Sequence, residues 1–178
     1  AMPVLAEYFR APRFDAAVIV SPDVGRAGLA GRYAEWLRKP LVVMHKRREG
    51  VDHVETTHVV GDVRDRIPIV IDDIVASGSV LTQVHDMIDQ GARREVYFCV
   101  THPVLLPSAV ARLAETVTVK ELIVSNSIHV PHELRQPHTK VRVLSIAPML
   151  AEVIRCIHRG ESISPIIRPT LPEPEPDQ

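Results

Sequence analysis

The sequence predicts an α/β fold, a parallel sheet flanked by helices on both faces. Three observations carry that prediction. Short apolar runs recur without the polar-apolar alternation of a half-wet strand, so each reads as a strand buried on both sides. Longer segments with apolar residues at three- and four-residue spacing separate them, as helices do in a parallel sheet, whose strands need a crossover connection. Acids and small residues gather where strands give way to helices, the edge at which ligands of such sheets bind.

The elements follow in order. Ala16–Val20 is a continuous apolar run and the first strand, and Gly28–Arg38 carries the first helical periodicity. Tyr33 and Trp36 lie three positions apart on that helix, placed to pack on the sheet or at a subunit contact. Leu41–Met44 and Ile67–Ile71 are the next strands, and Val80–Gln90 the next helix, closed by Gly91 in the glycine position past a helix end. Strand Val96–Val100, helix Ser108–Glu115, strands Leu122–Val124 and Val141–Ile146, and helix Pro148–His158 complete the pattern. On the last helix Met149, Leu150, Val153, Ile154 and Ile157 form an apolar face of the kind that joins a core. From Ser164 the chain becomes SPIIRPTLPEPEPDQ, rich in proline and acid. One domain over 1–164 and a solvated tail over 165–178 are therefore expected.

The chain has 178 residues, enough for one domain with a full core. Apolar residues make up 46% and charged residues 24%, the balance of a soluble globular protein. A net charge of −1 without a basic block argues against general nucleic-acid binding. No apolar stretch is long enough to span a bilayer, and the first residues lack the basic-then-apolar layout of a secretory signal. Cys99 and Cys156, in a strand-like and a helix-like run, indicate no disulfide framework and fit a reducing cytoplasm. Ala1 ahead of Met2 reads as a remnant of cloning.

The most informative segment is IVIDDIVASGSVL, Ile69 to Leu81. Asp72 and Asp73 stand where a buried strand emerges, and Ser77-Gly78-Ser79 opens a helix. Backbone amides of such a turn favour an anionic phosphate, while paired carboxylates can accept hydrogen bonds from vicinal hydroxyls or hold Mg²⁺. The same residue types also describe an ordinary strand-to-helix loop with a serine N-cap. His129, His132 and His138 crowd one stretch, but their spacing fits no zinc pattern and reads as a surface loop. His102 follows a strand on the ligand side and is as readily a loop cap as a substrate contact.

Six motifs in order sharpen this picture: SPDVG at Ser21–Gly25, HKRR at His45–Arg48, VVGDV at Val59–Val63, DDIVASGSVL at Asp72–Leu81, GARREVYFCVTHPVL at Gly91–Leu105 and VLSIAPMLAEVIRCIHRGESIS at Val143–Ser164. Through them the chain, from about Pro3 to about Ser164, resembles the C-terminal half of ribose-phosphate pyrophosphokinases, the phosphoribosyl pyrophosphate synthetases. The resemblance implies a type I phosphoribosyltransferase-like fold and Mg²⁺-dependent transfer of pyrophosphate from ATP to the 1-hydroxyl of ribose 5-phosphate. It implies that Asp72 and Asp73 face the ribose hydroxyls, that Ser77, Gly78, Ser79 and Val80 cradle the 5-phosphate, and that Asp23 helps hold Mg²⁺. It also matches Lys46 and Arg48 to the cations of a mobile loop that closes over the polyphosphate. Such cations stabilise a transition state whose charge is spread over oxygens, whereas on composition alone the stretch Lys46 to Gly50 is a solvated charged loop.

Two departures qualify the match. Where the family commonly has Thr-Gly-Gly-Thr this chain has Ser77-Gly78-Ser79-Val80, and loss of one hydroxyl donor to a charged phosphate costs about 1.5–3 kcal/mol. Nothing in the chain corresponds to the N-terminal half that supplies the family's ATP site, so the chain alone is expected to be an incomplete enzyme. A non-catalytic regulatory subunit and a stand-alone phosphoribosyltransferase are the alternatives. Family members form homo-oligomers, and a C-terminal helix face left bare here would itself favour self-association.

Overall fold

The computed structural model describes residues 1–48 and 54–167, without the side chains of residues 46–48, 54–58 and 137. Seven strands run in the order β3-β2-β1-β4-β5-β6-β7. They are β1 (Ala17–Ser21), β2 (Leu41–Arg48), β3 (Val54–Val60), β4 (Ile67–Val75), β5 (Val96–Pro103), β6 (Val119–Ser125) and β7 (Val141–Leu144). All neighbours pair in parallel except β2 and β3, which form an antiparallel hairpin. The helices are α1 (Met2–Glu7), α2 (Ala27–Leu37), α3 (Val84–Asp89), α4 (Pro107–Glu115), α5 (Ala147–Arg159) and α6 (Ser164–Ile167).

Period-two placement of side chains divides the core between the two faces of the sheet. Val18, Val20, Val70, Phe98, Val100, Leu122 and Val124 point to one face, where Val84 and Met87 of α3 and Leu113 of α4 cover them. Ile19, Ile69, Ile71, Tyr97, Cys99 and Ile123 point to the other, beneath Ala30, Tyr33, Ala34 and Leu37 of α2. Both faces are dry, which is why the strands show no alternation in sequence. Tyr33 packs on the sheet as expected, while Trp36 stays half-buried beside it.

Several expectations are corrected. The run Lys46 to Arg48 is the end of a strand, paired with Val54 to Thr56, and β3 was not anticipated. A hairpin arm rich in His, Lys, Arg and Thr has no apolar run to mark it; cross-strand hydrogen bonds make it a strand. β4 continues through Asp72 and Asp73 to Val75, because the β5 ladder persists to Pro103. The expected helix Val80–Gln90 is a 3₁₀ turn, Ser79–Gln83, followed by α3. Its end does match: Gly91 N–H donates to Ile88 O at 2.9 Å and Ala92 N–H to Met87 O at 3.1 Å, closing a Schellman motif with Gly91 at φ +90°. β7 stops at Leu144, short of Ile146, because the side chain of Asn126 takes over as partner and accepts from Ile146 N at 2.9 Å.

The apolar face of the last helix does not join the core. On α5 only Cys156 is buried, and Leu150, Ile154 and Ile157 are 46%, 67% and 65% exposed, with Met149 and Val153 half-buried. The N-terminal segment, in contrast, carries core that was not foreseen: Leu5, Ala6, Phe9 and Phe14 are fully buried on the α2 side. Ser164, the expected domain limit, begins α6, while residues 168–178 of the expected tail lie outside the described residues. His129, His132 and His138 are exposed, as a surface loop requires.

Candidate functional site

The strand order reverses between β1 and β4: the chain leaves β1 for β2 on one side, and β4 lies on the other. Helices that follow strands on either side of such a switch point diverge and leave a crevice at the carboxyl ends. Asp23 stands just past the end of β1, and Asp72 and Asp73 stand on the last part of β4. The topology thus places acids that lie far apart in sequence at the same end of neighbouring strands, although among the described residues no three acid, His or Cys side chains form a group that could hold a metal ion.

Each is held by local chemistry. Asp23 Oδ1 accepts from Arg26 N at 3.0 Å, capping the 3₁₀ turn Val24–Arg26, and Ser21 Oγ donates to Asp23 O at 2.7 Å. Asp72 Oδ1 accepts from Asp73 N at 2.8 Å. The guanidinium of Arg26 spans the pair, with Nε 3.3 Å from Asp72 Oδ1 and Nη2 2.9 Å from Asp73 Oδ1. Burial pushes the Asp72 carboxyl up to about 6, and the Asp73 carboxylate adds to this while Arg26 opposes it.

That shift has a definite sign. A carboxyl raised in the native state holds its proton while the unfolded chain has already lost it, so its contribution to stability falls as pH rises from about 4 to 6. Asp72→Asn removes this dependence. In paired thermal melts the variant should gain on the parent between pH 4 and pH 7; a constant difference across that range would show that Asp72 titrates normally.

The turn after β4 is built against α4. Leu105 N–H and Leu106 N–H donate to Val75 O and Ala76 O at 3.0 Å each, and Ser108 Oγ donates to Ser77 O at 3.3 Å. Gly78 sits at φ +75°, and a Cβ there would fall 2.9 Å from Ala109 Cα. Glycine is therefore required twice over, by conformation and by space. Leu81 N–H donates to Gly78 O at 3.0 Å and starts the 3₁₀ turn. The amides of Ser77, Gly78, Ser79 and Val80 meet no acceptor among the described residues; Ser77 and Ser79 are exposed where an anion could reach them, while Gly78 and Val80 are buried. The Val80 side chain lies in the core, so Val80 can offer a ligand its amide alone.

His102 is at the end of the neighbouring strand β5, its Nδ1 3.0 Å from Ser127 Oγ, which in turn donates to Thr101 O at 2.9 Å. Lys46 and Arg48 lie on β2, next to β1 in the sheet; their side chains, and residues 49–53, are outside the described residues. Arg26 and the α4 buttress were missed in sequence. Arg26 had one available signal, a cation three residues beyond Asp23 in the loop that faces β4. A divalent cation here would take one or two carboxylates and complete its shell with water and ligand phosphate. Asp23 fits that role: it is exposed and uses Oδ1 for the cap. Asp72 and Asp73 already have a cation in Arg26.

Comparison with known proteins agrees with this architecture. Residues 50–168 match the family model described as phosphoribosyl synthetase-associated domain. The chain is 37% identical over 163 residues to ribose-phosphate pyrophosphokinase of Bacillus subtilis (strain 168), covering 92% of this chain and 50% of that protein. The chain belongs to the ribose-phosphate pyrophosphokinase family. A putative ribose-phosphate pyrophosphokinase of Streptomyces coelicolor is 38% identical over 161 residues, which are 90% of this chain and 50% of that one. The crystal structure of phosphoribosylpyrophosphate synthetase from Mycobacterium smegmatis superposes with a TM-score of 0.77 at 35% identity, over 90% of this chain and 51% of that chain. The chain therefore spans about half the length of the curated relatives it matches. The fold is that of this family, type I phosphoribosyltransferase-like, with a mixed, mostly parallel sheet. No helix among the described residues is long and apolar enough to cross a membrane.

Proposed function

We propose that this chain is the ribose 5-phosphate-binding half of a ribose-phosphate diphosphokinase, the enzyme that makes phosphoribosyl pyrophosphate for nucleotide biosynthesis. One observation carries the reading: a turn, Ser77 to Val80, whose amides have no acceptor among the described residues, and two carboxylates, Asp72 and Asp73, occur on one strand and its following turn at the switch point of the sheet. A phosphorylated pentose has the complementary pair of features, a dianion at one end and vicinal hydroxyls at the other. Asp23 helps hold Mg²⁺, which when bound offsets charge on the transferring phosphoryl oxygens, and Lys46 and Arg48 supply cations for the same charge. ATP requires a further site that a companion half provides. The domain covers 1–164, the tail 165–178, and the protein works in the cytoplasm.

Calorimetry tests the reading. Ribose 5-phosphate should bind the 178-residue chain, while a coupled assay with ATP and Mg²⁺ detects little or no phosphoribosyl pyrophosphate. Heat with phosphoribosyl pyrophosphate but not ribose 5-phosphate would indicate a stand-alone transferase instead. A second reading, a regulatory subunit that binds nucleotide, is favoured by the buried Val80 side chain and by the Arg26 bridge over both acids; heat with ADP alone would select it.

The chain also self-associates on this proposal, through the exposed Leu150, Ile154 and Ile157 of α5. Light scattering should give a mass above 19.8 kDa that falls toward it in Ile154→Glu. A monomer at all concentrations would refute this.

A further inference from the structure

We infer that Arg26 is a plug: its guanidinium closes the Asp72–Asp73 pair, and a ligand reaches those carboxylates only when the side chain swings away. Arg26 Nε lies 3.3 Å from Asp72 Oδ1 and Nη2 2.9 Å from Asp73 Oδ1, ion pairs from one guanidinium to both acids in which Asp73 Oδ1 receives no hydrogen bond. Asp73 Oδ1 is shut off from solvent, and Asp72 is the less exposed of the two side chains, at 15% against 33%. The Arg26 side chain stays 42% exposed, so part of it borders open space into which it can move.

Its backbone is held by the turn, and its side chain by the two ion pairs to the acids. Asp23 Oδ1 holds Arg26 N at 3.0 Å, and the turn Val24–Arg26 aims the residue from the end of β1 across the crevice to β4. The contact is therefore a bridge over the switch point, joining the two walls between which a ligand must enter. A carboxylate oxygen held by a guanidinium is a poor acceptor for a second donor and a poor ligand for a metal. Opening the bridge costs the ion pairs, and a ligand has to return that free energy through its own contacts. A polyol phosphate can do so, because its phosphoryl group offers the displaced guanidinium a new anionic partner.

The inference deepens the reading above but is tested without it. Mn²⁺ serves as a probe of free carboxylates, followed by the loss of its free-ion paramagnetic resonance signal. Arg26→Ala should bind Mn²⁺ at least about tenfold more tightly than the parent, and the gain should vanish in Arg26→Ala/Asp72→Asn/Asp73→Asn. Arg26→Lys, which keeps the charge but concentrates it on one ammonium that cannot lie against both acids at once, should fall between. If Arg26→Ala does not fold, Arg26→Gln carries the same expectation with nearly the original volume. Ribose 5-phosphate is titrated into each protein in parallel, and silence in all of them strikes the ribose phosphate reading alone, since the Mn²⁺ comparison decides the role of Arg26 by itself. Equal Mn²⁺ affinity in parent and variant, or a gain that survives loss of both acids, overturns the plug.

Discussion

Phe14→Ala should destabilise the protein by about 3–5 kcal/mol, a large share of the 5–15 kcal/mol that holds a typical domain together. Phe14 is fully buried at the centre of a ring cluster, with centroids 5.0 Å from Phe9, 4.9 Å from Tyr97 and 5.9 Å from Tyr8. Two of the contacts are edge-to-face, which adds to the area term, and the cavity left by alanine has rigid sheet on one side. The cluster also anchors Tyr8, whose hydroxyl donates to Glu121 on β6 while Arg142 of β7 donates to the same carboxylate at 2.8 Å. Urea unfolding monitored by far-UV circular dichroism measures the change. A loss below about 1 kcal/mol, the size of an ordinary surface effect, would mean that the N-terminal segment is an accessory and not a wall of the core.

Gly78→Ala should be the most damaging single methyl group at the site. It combines a left-handed backbone with a contact of 2.9 Å to the Ala109 backbone, so either the turn or α4 has to move. Overpacking of this kind costs about 1–3 kcal/mol. The larger effect is expected in binding, because movement of the turn scatters the four amides of Ser77 to Val80. Ribose 5-phosphate affinity should fall by more than tenfold in calorimetry while the folded fraction at 25 °C stays near one. Unchanged affinity in a folded Gly78→Ala would show that the turn does not hold the phosphate.

The legible parts of the chain are those whose reason is local. β1, β4, β5 and β6 declare themselves because burial on both faces demands unbroken apolar runs, and their centres fall where the sequence places them. The Gly91 helix end is equally readable, since a positive φ after a helix selects glycine. The hairpin of β2 and β3 was not legible. Lys46 to Arg48 and Val54 to Val60 are strands through hydrogen bonds to one another, and neither segment has a pattern of its own. The α5 stripe misled for the opposite reason. Leu150, Ile154 and Ile157 have the helical spacing of a core face, yet spacing says only that a face is apolar and not what covers it. Phe9 and Phe14 escaped notice because a short helix and two 3₁₀ turns leave no period to detect.

The sequence by itself determined the fold class, the family and the acid pair with its phosphate-type turn, because strand burial, turn chemistry and motif order are written along the chain. Only the tertiary structure decided that Arg26 lies on Asp72 and Asp73, that α4 buttresses Gly78, and that Asp23 and the β4 acids stand at the same end of neighbouring strands. Those facts depend on which strands become neighbours. Strand order is settled by how both sheet faces and all the crossover connections pack at once, a global condition that no single segment encodes.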